Sequence, residues 1–219
     1  MKPAPSDPPE IEHVLWNGIS GFIAWDVGAN TGQSVHILAE RFKQVVAFEP
    51  AAECFGLLWN ACVTAANRNS ATVILKPYAI SDHDGQIALA ALPDKIDTGQ
   101  LVTPGTAGME WSPQEWDTSY LRPVECRSLD SLVAELPRPD FVKVDVEGHE
   151  RAVLDGAHDL ADAFRPTWLI EFHTPELADY CWDFLAEHDY RIEVVRHPHY
   201  PVHSQMWYQH GWLRGFPTD

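Results

Sequence analysis

The chain has 219 residues and carries 15 basic against 32 acidic side chains, a formal net charge of −17 at pH 7. This length suits one α/β domain. Because so acidic a surface repels phosphate groups, nucleic acids and anionic membranes are disfavoured as partners. The cysteines form no C-x-x-C pair, so neither a zinc site nor a disulfide framework is predicted. No signal peptide or bilayer-spanning apolar run is visible, and we expect a cytoplasmic protein.

The first half of the chain predicts alternating strands and helices. Residues 1–20 are expected to form an arm with a short helix, and residues 21–219 the main domain, with an insertion at about 86–127. Compact apolar runs predict buried strands, and apolar residues at helical spacing predict helices. Strands are predicted at 21–27, 44–48 and 71–78, and helices at 31–42 and 51–66. This β-α-β-α-β order is typical of a parallel sheet with right-handed crossovers.

The alternation lapses in the insertion and then resumes. Strand-like pieces indicate a hairpin, and a loop at 105–120 that carries two tryptophans is expected to act as a lid over the substrate. The strand-like pieces lie at 86–92, 100–103 and 123–127. Beyond them we predict a short helix from 128, strands at 141–145, 167–172 and 190–195, helices at 149–156 and 175–188, and an antiparallel last strand within 205–216.

A glycine-rich turn, D-V-G-A-N-T-G, joins the first predicted strand to its helix. Gly28 and Gly32 allow a sharp turn and a close approach to a ligand, and the helix N-terminus beyond them suits a carboxylate. Asp26 at the strand end could meet an ammonium group, so the turn fits the amino-acid end of S-adenosylmethionine. Because the turn lacks the third glycine of G-x-G-x-x-G, a dinucleotide fits less well. Glu49 closes the second strand, where an acidic residue accepts ribose hydroxyls in nicotinamide and S-adenosylmethionine sites alike.

Several further motifs recur in a fixed order along the chain. They are D-V-G-A-N-T-G-x-S from residue 26, A-F-E-P at 47–50, A-I-S-D-x-x-G at 79–85, S-L-D at 128–130, V-K-V-D-V-E-G-H-E at 142–150 and L-I-E-F-H at 169–173. In these motifs the sequence resembles the FkbM family of methyltransferases over about residues 25–173. The resemblance implies a class I methyltransferase fold, which is Rossmann-like, with a mostly parallel seven-stranded sheet, helices on both faces and an antiparallel last strand. It also implies S-adenosylmethionine as the donor and O-methylation of a hydroxyl on a sugar or polyketide-like small molecule.

The same resemblance assigns a donor site to this chain. The residues expected at the methionine end are Asp26, Gly28, Ala29, Asn30, Gly32 and Ser34. Glu49 and Pro50 are expected at the ribose, and the residues bordering the adenine are Ala79, Ile80, Ser81 and Asp82.

Acidic residues and one histidine follow two neighbouring strands. Asp145 and Glu147 end the strand at 141–145, and Glu171 and His173 end the strand at 167–172. Strand alternation and the shared carboxyl edge of the sheet should bring these side chains together near the transferred methyl group. An imidazole suits proton removal from a hydroxyl, so His173 is the predicted general base, with Asp145 orienting it or the substrate. Alternatively, His173 only caps the turn before Pro175.

Other roles stay open for these and nearby residues. Asp145, Glu171 and His173 could hold a divalent metal, although such clusters are more often hydrogen-bonded networks, so no metal is assigned. His149 is expected to be exposed on a first helical turn, with Glu150 serving the helix dipole. The histidines near the C-terminus are interpreted as loop residues or substrate contacts: His197, His199, His203 and His210. The aromatic residues there are expected to pack against the sheet edge, or else to form a sugar-stacking or dimer surface: Trp207, Tyr208, Trp212 and Phe216.

The same residues bear on other functions of Rossmann-like sheets. Adenine or glutamine N-methyltransferases carry an Asn/Asp-Pro-Pro-aromatic step after the fourth strand, and this chain has D-V-E-G there. A nicotinamide oxidoreductase on a similar sheet and a non-catalytic S-adenosylmethionine-binding protein stay open. The expected partner is a small-molecule hydroxyl acceptor, and a homodimer is left open.

Overall fold

The computed structural model of the protein describes residues 13–90, 100–102, 121–196 and 210–218. The strands, in chain order, are β1 (Gly21–Val27), β2 (Phe42–Phe48), β3 (Thr72–Lys76), β4 (Ala79–Ile80), β5 (Gly85–Ala90), β6 (Gln100–Val102), β7 (Leu121–Arg127), β8 (Phe141–Val144), β9 (Thr167–Phe172), β10 (Tyr190–Arg196) and β11 (Gly211–Pro217). The helices are α1 (Gln33–Arg41), α2 (Phe55–Asn69), α3 (Leu129–Leu132), α4 (Glu150–Asp155), α5 (His158–Phe164) and α6 (Pro175–Glu187). A helical turn at residues 13–15 precedes β1.

The main sheet has seven strands in the order β10-β11-β9-β8-β1-β2-β3. Six of them run in the same direction, and β11 is antiparallel to both of its neighbours. The chain moves outward from β1 to β3 and returns beside β1 as β8, so the winding direction reverses there. Ligands of open α/β sheets bind at such a reversal, at the carboxyl ends of the strands. The predicted mostly parallel sheet with an antiparallel last strand is confirmed.

The core lies on both faces of this sheet. Ala24 of β1 belongs to one buried cluster and the next residue, Trp25, to the other. Residues of α1 and α2 complete the first cluster, whereas residues of α3 to α6 complete the second. Because both faces are covered, the central strands are mostly apolar instead of alternating with polar residues, with Asp26 of β1 and Lys143 of β8 as buried charged exceptions.

A second sheet contains antiparallel strands in the region of the predicted insertion, whose bounds stay a prediction. Its order is β4-β7-β5-β6, with β5 antiparallel to both β6 and β7. The predicted tryptophan-bearing loop at 105–120 lies outside the described residues, as do His197, His199, His203, Trp207 and Tyr208. The division between residues 1–20 and 21–219 stays a prediction, although Leu15 and Trp16 pack into the core.

Several element boundaries differ from the sequence predictions for local reasons. The helix predicted from residue 51 begins at Phe55, because the Ala51 amide donates to Glu49 and closes a turn there. Helix α5 was not predicted; the distant Asp130 carboxylate accepts hydrogen bonds from its first amides, at Asp159 and Leu160. The last strand in the sequence is not the edge of the sheet, because β11 inserts between β9 and β10 and leaves β10 at the edge. None of the helices among the described residues is long and apolar enough to cross a membrane.

Candidate active site

An open cleft lies at the carboxyl ends of β1, β2 and β8, where the sheet winding reverses. Its empty volume, counting the solvent at its mouth, is about 610 Å³. Half of the predicted donor-site residues line it: Gly28, Asn30, Glu49, Pro50, Ala79 and Ile80. Asp145 and Glu147 of the predicted catalytic set line the same cleft. The structure therefore brings half of the predicted donor residues and half of the predicted catalytic residues into one cleft.

The β1–α1 turn needs its glycines for two different reasons. Gly28 has φ +78, and a Cβ there would lie 1.8 Å from the Asp145 carbonyl oxygen. The turn therefore packs directly on the end of β8, as only glycine allows. Gly32 has φ +95 and is the N-cap of α1. The amides of Gly28 and Ala29 already donate to the Phe48 carbonyl, at 3.1 and 3.0 Å. The first-turn amides of α1 have no partner inside the helix, so they are the donors suited to a carboxylate.

Glu49 ties two loops together at the cleft wall. It is 7% exposed, and its oxygens accept hydrogen bonds from the Asn30 amide at 2.9 Å and the Ala51 amide at 2.7 Å. Burial raises the pKa of this carboxyl above its usual value, and the two amide hydrogen bonds oppose the rise. Because each carboxylate oxygen can accept more than one hydrogen bond, Glu49 keeps acceptor capacity toward the cleft. Its contact with a ribose stays a prediction.

A buried lysine, Lys143, lies below the cleft. It was not identified from the sequence. The Lys143 Nζ lies 3.3 Å from Asp26 Oδ1 and 3.2 Å from Asp145 Oδ2. Burial alone would lower the pKa of this ammonium, but the charges of Asp145, Asp26 and Glu171 outweigh burial and raise it. Asp26 is fully buried and also accepts from the Ser34 hydroxyl at 2.8 Å, so it supports the turn from behind. Contact of Asp26 with a cofactor ammonium stays a prediction.

His173 lies among carboxylates, as predicted. Its Nε2 is 3.6 Å from Glu147 Oε2 and 3.9 Å from Asp145 Oδ1. Its Nδ1 is 2.8 Å from Oε1 of Glu150, a fully buried carboxylate that also accepts from the Gly148 amide. Glu150, and not Asp145, thus makes the short hydrogen bond that orients this ring, and the alternative that Asp145 orients the substrate stays a prediction. Glu150 is also more than a partner of the helix dipole.

The charge state of His173 follows from these neighbours. Burial opposes the charged imidazole, but the hydrogen bond and charge of Glu150, with Glu147 and Asp145, raise the pKa of His173 to about 9. The ring is therefore an imidazolium at pH 7. The alternative that His173 caps the next helix was wrong, because the Thr174 hydroxyl is the N-cap and accepts from the Leu177 amide at 3.2 Å.

Glu147 occupies an unusual turn. Strand β8 ends at Val144, so Asp145 and Glu147 lie beyond it and not on the strand as predicted. Glu147 has φ +53, a conformation that non-glycine residues adopt at an energetic cost. Burial raises the pKa of the Glu147 carboxyl, an effect that His173 opposes and the charges of Asp145 and Glu171 reinforce.

Glu171 and His210 extend the cluster. Glu171 accepts from His210 Nε2 at 2.5 Å and from the Trp212 indole at 2.9 Å. The His210 ring stacks on His173 with 5.1 Å between ring centroids. One of the C-terminal histidines thus belongs to the site, and only the pairing of β11 with β9 brings it there.

His149 is placed differently from its prediction. It is 2% exposed, and its Nε2 lies 3.0 Å from the hydroxyl of the fully buried Ser81. Burial lowers the pKa of His149 to about 4, so the ring is neutral at pH 7. The prediction of an exposed histidine was wrong, because the α4 N-terminus packs against the segment that follows β4. Asp82, next along that segment, keeps a half-exposed carboxylate.

Two sets of side chains have the composition of a cation site. The ligand atoms of Asp145, Glu147 and His173 lie within 4.8 Å of one another, and so do those of Glu171, His173 and His210. The three residues of the alternative metal hypothesis, Asp145, Glu171 and His173, are thus divided between the two sets. Hydrogen bonds and ion pairs among these same groups account for their proximity.

This sheet order, with a glycine turn over a strand-end cleft, is that of the Rossmann-like methyltransferases. The chain superposes on methyltransferase FkbM from Methylobacillus flagellatus KT with a TM-score of 0.62 at 17% identity, covering 96% of this chain and 48% of that one. It also superposes on magnesium protoporphyrin IX methyltransferase from Synechocystis PCC 6803, solved with bound SAM, with a TM-score of 0.53 at 11% identity over 95% of this chain and 78% of that one. An rRNA methylase from Streptococcus thermophilus gives 0.55 at 11% identity, covering 98% of each chain.

The chain belongs to the FkbM methyltransferase family, because the model of the Methyltransferase FkbM domain matches residues 26–192. The hexuronic acid methyltransferase AglP of Haloferax volcanii is 33% identical over 136 residues, which cover 61% of this chain and 49% of that protein. The chain thus spans about half the length of that curated relative and of the FkbM structure.

Proposed function

We propose that the protein is an S-adenosylmethionine-dependent O-methyltransferase that acts on a hydroxyl of a small, sugar-like molecule. One observation carries the proposal: Asp145 and Glu147 line the cleft with the predicted donor residues and also approach His173. The cleft that holds predicted donor residues thus opens onto groups able to accept a proton. The family, the hexuronic acid relative and the SAM-bound structural neighbour support this assignment.

The residues present fit such a donor. Glu49 would accept the ribose hydroxyls, and the first-turn amides of α1 would bind the carboxylate. Tyr78, Ile80 and Leu89 offer an apolar wall for the base. Once bound, the donor supplies a methyl group made electrophilic by its positively charged sulfur. Asp145 and Glu147 give that end of the cleft a negative potential, which favours a cationic ligand.

Proton removal falls to Glu147 at neutral pH. Because the pKa of His173 is raised to about 9, the neutral ring is the minor form at pH 7. The Glu147 carboxylate lines the cleft and has a raised pKa, both of which suit a base. His173 then acts as its charged partner at 3.6 Å. This reverses the predicted division of roles, while both residues stay in the catalytic set.

The acceptor is inferred from charge and relatives. The net charge of −17 disfavours nucleic acid, although an rRNA methylase shares the fold. Because one fold serves many acceptors, the fold leaves the substrate open. A hydroxyl acceptor needs a base, and the cluster around Glu147 provides one. A nicotinamide oxidoreductase and a non-catalytic binder are the competing functions.

The test is transfer of a labelled methyl group from S-adenosylmethionine to a panel of neutral glycosides and hexuronic acids. We expect labelled product that survives mild alkali, because a methyl ether is stable there. Alkali-labile label would identify a methyl ester and overturn the hydroxyl assignment. Glu147→Gln should lower kcat by roughly 10²–10⁴. Glu187→Gln, an exposed change on α6, is the matched control.

A further inference from the structure

The buried ring of His149 joins two segments that belong to different sheets. His149 is the N-cap of α4 and follows the turn after β8 of the main sheet. Its Nε2 reaches Ser81 Oγ at 3.0 Å, 68 positions away, in the segment that follows β4 of the second sheet. That segment lines the cleft at Ala79 and Ile80. The ring is 2% exposed, so it can act on a bound molecule only through its neighbours.

A directed chain of hydrogen bonds starts from this ring. The Ser81 hydroxyl lies 3.1 Å from Asp82 Oδ1 and has a single hydrogen to give. A carboxylate can only accept, so the Ser81 hydrogen points to Asp82. The ring must then donate from Nε2 to Ser81. His83 Nδ1 contacts the same Oδ1 at 2.6 Å. Both contacts are made to Oδ1 of Asp82. Among the described side chains, Oδ2 of this half-exposed carboxylate is therefore the oxygen available to accept from a ligand.

The backbone of this segment is held independently of the ring. The Ser81 amide donates to the Arg127 carbonyl at 3.0 Å. A Cβ on Gly156, the C-cap of α4, would lie 2.3 Å from the Ser81 carbonyl oxygen, so the far end of the helix also abuts the segment. Loss of the His149 donor should therefore turn the Ser81 and Asp82 side chains and leave their backbone in place.

We propose that His149 is a positioning residue for the base end of the donor site. Through Ser81 it orients the Asp82 carboxylate to accept the exocyclic amino group of an adenine. A 6-oxo purine presents an acceptor where adenine presents a donor, so an oriented carboxylate repels it. His149 thus sets the preference for a 6-amino over a 6-oxo purine. The inference rests on the proposed donor.

The experiment compares calorimetric Kd values for S-adenosylhomocysteine and its 6-oxo analogue, S-inosylhomocysteine. His149→Phe keeps a planar ring and removes the donor, and Ser81→Ala breaks the same chain at a smaller side chain. His188→Phe is the matched control, because His188 is also a buried histidine, 8% exposed and hydrogen-bonded to Asp162, but caps the far end of α6. His149→Gln tests rescue, because its amide can donate.

We expect the wild type to prefer S-adenosylhomocysteine, and His149→Phe and Ser81→Ala to weaken that ligand by about tenfold. The Kd of the 6-oxo analogue should stay nearly unchanged, so the preference collapses. His149→Gln should restore part of it, and His188→Phe should keep all of it. Equal weakening of both ligands, or no change in either variant, would overturn the positioning role. A wild type that binds neither ligand would instead overturn the proposed donor.

Discussion

The replacement Glu150→Gln tests the electrostatics of the site without knowledge of the acceptor. Glu150 is fully buried and makes the shortest contact of the His173 ring, 2.8 Å from Nδ1. An opposite charge at such a distance typically changes a pKa by about 1–3 units. The variant keeps an oxygen acceptor of the same size but removes the charge. We therefore expect the pKa of His173 to fall from about 9 by that amount.

The same replacement should change how stability depends on pH. The rise from 6.5 to about 9 in the pKa of His173 corresponds to about 3 kcal/mol in favour of the folded protein. Because this pKa is raised on folding, the stabilisation is complete below pH 6.5 and is lost as the pH rises through 9. The free energy of unfolding should therefore fall over this interval in the wild type. It should fall less in Glu150→Gln.

Histidine-labelled NMR measures the titration directly in the protein without ligands, with His173→Gln to assign the signal. Glu187→Gln, exposed on α6, should leave the pKa of His173 unchanged. Urea unfolding between pH 6 and 9 gives the stability difference. A wild-type His173 that titrates near 6.5, or an unchanged pKa in Glu150→Gln, would refute the assignment of its charge to Glu150.

Other predictions concern the turn, the buried lysine, the base and a metal. Gly28→Ala adds a Cβ that would lie 1.8 Å from a carbonyl oxygen, whereas a Cβ at Gly18, which has a similar φ, would have nothing within 4 Å. In thermal melting, Gly18→Ala should lower the free energy of unfolding by only about 1–2 kcal/mol, and Gly28→Ala should lower it clearly more. Lys143→Met leaves the carboxylates of Asp26 and Asp145 without their ion-pair partner. It should lower the free energy of unfolding in urea by about 3–5 kcal/mol, and the double variant Lys143→Met/Asp26→Asn should recover part of that loss. The methyl-transfer rate should be level from pH 7 to 9 if Glu147 is the base, and a rate that climbs toward pH 9 would return that role to His173. Turnover should be insensitive to EDTA, whereas loss restored by Mg²⁺ or Mn²⁺ would establish a metal in the cluster.

The fold could be predicted where the signal is local. The bounds of β1 and β9 agree with the predictions, because each is a compact and largely apolar run that a turn follows directly. Helix α5 was missed because its first amides are capped by Asp130, which is distant in sequence and gives no local sign. The position of β11 inside the sheet likewise depends on strand pairing across the whole domain.

The clustering of strand-end acids with His173 could be predicted from the sequence, whereas the hydrogen-bond partners of nearby residues could not. Strand-end acids and His173 could be found because parallel strands share a carboxyl edge. Glu150 and His149 could not be assigned, since their partners lie 23 and 68 residues away. Lys143 did carry a signal, because a charged residue inside a fully buried strand needs ion-pair partners.

The central claim is that the cleft binds S-adenosylmethionine through Glu49, and calorimetry with S-adenosylhomocysteine and NAD⁺ tests it most directly. The account predicts binding of S-adenosylhomocysteine and no heat with NAD⁺. Glu49→Ala should weaken S-adenosylhomocysteine by about 1.5–3 kcal/mol, since hydrogen bonds to a charged acceptor are lost. Binding of NAD⁺ in place of S-adenosylhomocysteine, or an unchanged affinity in Glu49→Ala with the fold intact, would contradict it.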